Sequence, residues 1–145
     1  MASLRGTDCS HTVQDVTERD TEGAVRALVA AYNARDIDAL LALFDERAEW
    51  HTTPGFLWPG PYRGRDALRG LFEHWWQGWD RGHADIQRIE VAGDRAMVDA
   101  EIHGRSAGDG LDVHVPLHWV FHVRDGCIDL VRSFDNVAEA KATLG

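Results

Sequence analysis

From Thr21 onward the apolar residues of this 145-residue chain recur with two distinct periods. Val25, Leu28, Val29 and Tyr32 stand at helical spacing, which predicts an amphipathic helix with Asp20 or Thr21 as its N-cap. Asp36 then heads a second short helix carrying Ile37, Leu40, Leu41 and Phe44, and a brief strand is expected over 48–52. The segment 53–64, TPGFLWPGPYRG, holds three prolines and three glycines and reads as a loop. Its Phe56, Leu57, Trp58 and Tyr62 make it apolar enough to fold back over the protein. A third helix over 65–79 would carry Leu68, Leu71, Phe72, Trp75 and Trp79 along one face.

Beyond that helix the period changes to two. Strands are expected over 86–91, 95–105, 111–123 and 127–134, joined by turns at Gly93-Asp94, Gly108-Asp109 and Arg124-Asp125-Gly126, with a closing helix over 137–144. In 111–123 the odd positions Val113, Val115, Leu117, Trp119, Phe121 and Val123 are all apolar; in the preceding strand it is the even positions Ala96, Val98, Ala100 and Ile102. A turn at Gly108-Asp109 sets Ile102 opposite Val115, Ala100 opposite Leu117 and Asp99 opposite His118, so that both apolar sets share one face. His103, His114, His118 and His122 then fall on the outer face beside Asp99 and Glu101, and no HxH or HExxH pattern among them calls for a metal. A three-residue loop at 124–126 pairs Val123 with Cys127, which turns Ser133 and Asp135 inward and leaves Ile128, Leu130 and Phe134 outside. An apolar outer strand predicts a homodimer through the outer sheet face.

These elements describe one α+β domain over 21–145 in which helices close over a curved antiparallel sheet, preceded by a flexible arm over 1–20. Composition narrows the setting. A net charge of −9 argues against nucleic acid or an anionic membrane as partner. No apolar run approaches a membrane span or a signal-peptide core, so a cytoplasmic location is expected. Cys9 and Cys127 have no metal-ligand spacing and read as two free thiols of a reducing compartment.

Three stretches carry a family likeness: Tyr32-Asn33-Ala34-Arg35-Asp36-Ile37-Asp38-Ala39-Leu40 through Phe44-Asp45-Glu46-Arg47-Ala48-Glu49-Trp50-His51; Tyr62-Arg63-Gly64-Arg65-Asp66-Ala67-Leu68; and Trp119 to Ile128 through Arg132-Ser133-Phe134-Asp135. With the order of elements, they resemble the SnoaL-like branch of the nuclear transport factor 2-like superfamily, which implies a cone-shaped, cystatin-like α+β barrel. That family includes ketosteroid isomerases, polyketide cyclases, limonene-epoxide-hydrolase-like enzymes, scytalone-dehydratase-like lyases and non-catalytic binding domains. By the resemblance, the isomerase general base falls near His51, its oxyanion-hole tyrosine near Leu28 and its oxyanion-hole acid near Trp119. The epoxide-hydrolase Arg-x-Asp falls near Ala100 and Ile102, with the later aspartate at Ser133. The dehydratase tyrosine and histidines correspond to Tyr32, His83 and His103.

The chemistry expected is therefore cofactor-independent acid/base catalysis on a hydrophobic cyclic substrate, as an isomerase, cyclase or dehydratase; the rival is a ligand-binding or dimerising domain. His51 is either a proton shuttle suited to neutral pH or a polar rim histidine. Asp135 is either a desolvated pocket carboxylate with a raised pKa or a helix cap. Tyr32 is either core or a hydrogen-bond donor to substrate. Trp58, Phe72, Trp75 and Trp79 are either core packing, the first explanation at helical spacing, or the wall for a flat, polycyclic or aromatic ligand of a pocket lined by Val98, Ala100, Ile102, Val115, Leu117, Trp119 and Ser133.

Overall fold

In the computed structural model, residues 18–52 and 60–144 are described. Most of the arm expected over 1–20, and Phe56, Leu57 and Trp58 of the apolar loop, lie outside them. The elements run α1 (Glu18–Ala34), α2 (Ile37–Leu41), β1 (Phe44–His51), β2 (Tyr62–Arg63), α3 (Arg65–Gln77), β3 (Trp79–Ala92), β4 (Arg95–Ser106), β5 (Asp112–Arg124), β6 (Cys127–Phe134) and α4 (Val137–Leu144). Six strands form one sheet in the order β2-β1-β6-β5-β4-β3. Every neighbouring pair is antiparallel except β1 and β6, which run parallel. Irregularities in register interrupt β1, β3 and the β5–β6 pair. Such bulges bend strands and increase twist, and here the sheet curls into a half-barrel.

The helices begin where side chains satisfy their free ends, although not always at the expected residue. Asp36 caps α2, its Oδ1 accepting the Ala39 amide at 3.1 Å. In α1, by contrast, the helix already starts at Glu18, so neither Asp20 nor Thr21 is the cap. Thr21 is fully buried one turn in, and its hydroxyl donates to the Gly93 carbonyl at 2.8 Å, tying the helix to the β3–β4 turn. At the other end of the chain Asn136, not Asp135, caps α4 by accepting the Glu139 amide at 2.9 Å. Trp79 is not the last residue of α3 but the first of β3, because the helix stops at Gly78. The residue of α3 that enters the core in its place is Trp76.

The β4–β5 register follows the hydrophobic alternation: Ile102 faces Val115, Ala100 faces Leu117 and Asp99 faces His118. The β5–β6 register differs from expectation. Asp125 and Gly126 both take positive φ, 53° and 81°, giving a tight two-residue turn that pairs Arg124 with Cys127. An irregularity then follows between His122 and Val123. Its effect is to bring both Ile128 and Val131 into the core, and Ile128 is fully buried there instead of lying outside.

Two apolar clusters result. The larger fills the concave side, where Val25, Leu28, Leu68, Phe72 and Trp76 of the helices meet Trp50, Val98, Ile102, Phe121 and Val131 of the sheet. The smaller lies on the convex side: Met97, Val120 and Phe134 pack against Val137, Ala140 and Leu144 of α4. Of the three residues that had suggested a partner subunit, Phe134 is thus packed by the chain's own last helix and Ile128 belongs to the concave core. The free-thiol expectation is also corrected for Cys127, which is disulfide-bonded, so free thiols no longer argue for a reducing compartment. No described helix is long and apolar enough to cross a membrane.

Candidate functional site

Between α1, α3 and the concave sheet face lies a cavity of about 320 Å³. Its position follows from local structure. Asn33, one residue beyond the inward-facing Tyr32, clamps α1 onto the edge strand β3: its Oδ1 accepts the Ala84 amide at 2.7 Å and its Nδ2 donates to the Ala84 carbonyl at 3.0 Å. The side chain thereby completes a strand edge that has no neighbour there. The inner faces of three strands supply one wall as a single rung, Ala84–Ile102–Val115. Leu117, Trp119 and Ser133 continue it across β5 and β6, while Leu71, Phe72 and Trp75 line it from α3.

Eight of the expected residues meet at this cavity: Tyr32, Phe72, Trp75, Ile102, Val115, Leu117, Trp119 and Ser133. Ser133 reaches it opposite Trp119 and not, as expected, opposite Leu117. Val98 and Ala100 sit in the core without lining the space, and Trp79 packs on the Trp75 ring at 5.6 Å outside it. Trp58 lies outside the described residues.

The two expected proton shuttles are not at the cavity. His51 and Glu49 share the face of β1 opposite Trp50, and the His51 ring meets the Glu49 carboxylate at 2.9 Å with its side chain 40% exposed. Glu49 also takes the Arg63 guanidinium at 3.1 Å, and these two partners hold its carboxyl below the usual range. Asp135 lies beyond the end of β6 and is exposed. Its position follows from the end of β6 at Phe134, one residue before it. The dehydratase-type set is split as well: Tyr32 lines the cavity, while His83 and His103 stack on each other on the convex side.

Trp50 is the main residue the sequence reading missed. It is the hub of an aromatic cluster, edge-on to Phe72 at 5.3 Å and to Trp119 at 5.7 Å. The signal was available: alternation along β1 puts Ala48 and Trp50 on one side and His51 on the other.

What remains at the cavity is almost wholly apolar. Among the described lining residues none is Asp, Glu, His, Lys or Arg, and the polar side chains are those of Tyr32, Thr52 and Ser133. Tyr32 is the chemically distinctive one. It is 8% exposed, and burial pushes its pKa up to about 12, against smaller opposing effects of the Trp75 hydrogen bond and the Arg35 charge. The Trp75 indole Nε1–H donates to the Tyr32 oxygen at 2.5 Å. That bond occupies the oxygen as acceptor, so the phenol's own proton is free to turn to a ligand. The site can therefore grip an apolar body and donate one neutral hydrogen bond to an oxygen or nitrogen upon it.

The family model of the SnoaL-like domain matches residues 25–131. The chain belongs to the SnoaL-like family. No curated protein sequence matches it. Solved structures show the same fold at low identity. A nuclear transport factor 2-like protein of unknown function from Burkholderia pseudomallei superposes with a TM-score of 0.72 at 16% identity, covering 86% of this chain and 97% of that one. TerC, co-crystallised with polyporic acid, gives 0.72 at 18% identity over the same shares, 86% and 97%. A limonene-epoxide-hydrolase-like epoxide hydrolase of M. tuberculosis gives 0.67 at 24% identity, covering 87% and 90%. This SnoaL-like chain therefore has the cone-shaped fold of its family, with its cavity at the place where helices meet the curled sheet.

Proposed function

We propose that this SnoaL-like domain binds a small, flat, hydrophobic cyclic molecule bearing a hydrogen-bond acceptor. The observation that carries the reading is the buried Tyr32 hydroxyl, held by the Trp75 indole at 2.5 Å and set in an otherwise apolar cavity. Phe72, Trp75 and Trp119 offer ring faces and edges, and a volume of about 320 Å³ suits a ligand of one or two fused rings. A protein of the same fold, TerC, was co-crystallised with polyporic acid, which supports a small-molecule role for such a cone.

The catalytic version of this reading, an isomerase, cyclase or dehydratase working without a cofactor, rests on the same group. A tyrosine that keeps its proton at neutral pH can polarise a bound carbonyl without itself ionising. The step would draw its electrophilic assistance from hydroxyls, Tyr32 first among them with Thr52 and Ser133 also at the cavity, since His51 and Asp135 stand away from it.

The test uses tryptophan fluorescence, since Trp50, Trp75 and Trp119 all line the space. A bicyclic ketone, 1-tetralone, is titrated beside its hydrocarbon counterpart tetralin. The ketone should bind more tightly, and Tyr32→Phe should erase the difference, a loss of about 2- to 13-fold for one hydrogen bond of about 0.5–1.5 kcal/mol. Ala84→Trp should exclude both. Unchanged binding in the Ala84→Trp protein would overturn the cavity as the site.

A further inference from the structure

On the convex side of the sheet, behind the cavity, the strand register brings together residues that lie far apart in the chain. His83 of β3 pairs with His103 of β4, and His103 pairs with His114 of β5, so three imidazoles form one rung across three strands. The adjacent rung pairs Asp85 with Glu101. The side chains converge as the backbone does. His103 Nε2 lies 3.0 Å from Glu101 Oε1 and 3.5 Å from Asp85 Oδ2; His114 Nδ1 lies 4.0 Å from the same Glu101 oxygen. His83 Nε2 approaches Asp85 Oδ2 at 3.2 Å, and the His103 and His114 rings are 4.5 Å apart.

We infer that Glu101, His103 and His114 form a binding site for a borderline divalent cation of the zinc class, with Asp85 as a further oxygen ligand. One ligand atom from each of the three residues falls within 4.8 Å of the others. A tetrahedral shell with bonds of about 2.0–2.1 Å needs ligand atoms about 3.3 Å apart, so small rotations of half-exposed side chains close the set. Two nitrogens with one or two carboxylate oxygens suit zinc and its first-row neighbours, whereas magnesium and calcium favour oxygen alone. The second carboxylate matters because Asp85 Oδ2 approaches the same His103 Nε2 as Glu101 Oε1 does, which puts it on the side of the ring where the cation would sit.

The position gives the site a consequence. His83, His103 and His114 are the direct chain neighbours of Ala84, Ile102 and Val115, the rung that lines the cavity on the opposite face. A cation here would pin β4 to β5 immediately behind that wall, close to the turn that joins them.

The test is isothermal titration of Zn²⁺ into the full chain with any affinity tag removed, paired with Co²⁺ absorption as a report of ligand geometry. One equivalent should bind, with ligand-field bands of a nitrogen- and oxygen-ligated tetrahedral centre. His103→Ala and His114→Ala should each weaken binding at least tenfold, and Glu101→Gln should do the same with little change to the strand surface. His118→Ala should leave affinity unchanged, because His118 is paired with Asp99 at 2.8 Å away from this cluster. Absence of saturable binding would overturn the inference, as would one-equivalent binding that survives the joint replacement of His103 and His114 in a protein with wild-type circular dichroism.

Discussion

Tyr32 makes the folded protein sensitive to alkali in a way that can be calculated. Its pKa rises from 10.0 in the open chain to about 12 in the fold, chiefly because burial disfavours the phenolate. Between these two values the unfolded chain gives up its proton while the folded protein keeps it, so the folded state binds more protons and stability falls as pH rises. Below pH 10 this contribution is fully present. At about 1.36 kcal/mol for each tenfold change in proton affinity, the loss would approach about 2.7 kcal/mol only above both values, and by pH 12, where the folded group is half ionised, it is about 2.3 kcal/mol. Tyr32→Phe removes the ionisation and keeps the ring that meets Phe72 at 6.3 Å and Trp76 at 5.7 Å. The substitution itself should cost about 1 kcal/mol at neutral pH, since Trp75 loses its acceptor. Urea unfolding at a series of alkaline pH values checks the prediction. The wild type should lose about 1.9 kcal/mol more than Tyr32→Phe between pH 10 and 12, and the difference in phenolate absorbance between the two should develop near pH 12. Parallel stability curves would refute the argument, because they would mean that the hydroxyl is as well solvated in the fold as in the open chain.

Asn33→Ala should destabilise the domain by about 2–4 kcal/mol in the same assay. It strands both the amide and the carbonyl of Ala84, a residue only 4% exposed, at about 1–2 kcal/mol each. On the convex side, burial depresses the pKa of His122, whose Nε2 lacks a hydrogen bond, below its usual 6.5. The unfolded chain then binds the proton more readily, so stability is present above pH 6.5 and declines as the pH falls through that value. His122→Gln should flatten that part of a melting-temperature profile between pH 7 and 5.5.

Much of the fold and part of the site were legible in the sequence. The alternation of Val98, Ala100 and Ile102 against Val115, Leu117 and Trp119 determined the β4–β5 register, because a slip of one residue would have exposed every one of them. It also determined which strand positions face the cavity and which histidines face away. Helical spacing in α1 and α3 placed Tyr32, Phe72 and Trp75 on the inward side. Only the tertiary structure decided what the remaining residues do. The β5–β6 turn could close over two residues or three, and the choice, with the irregularity that follows it, moved Ile128 into the core, while the end of β6 at Phe134 left Asp135 exposed. An apolar outer surface needs some cover, but its pattern is the same whether a second subunit or the chain's own α4 supplies it. The convergence of His83, His103 and His114 was likewise invisible as a motif. Local spacing reports which face a residue occupies, whereas distances between side chains on three strands depend on register, twist and rotamer, and these are settled only when the sheet closes.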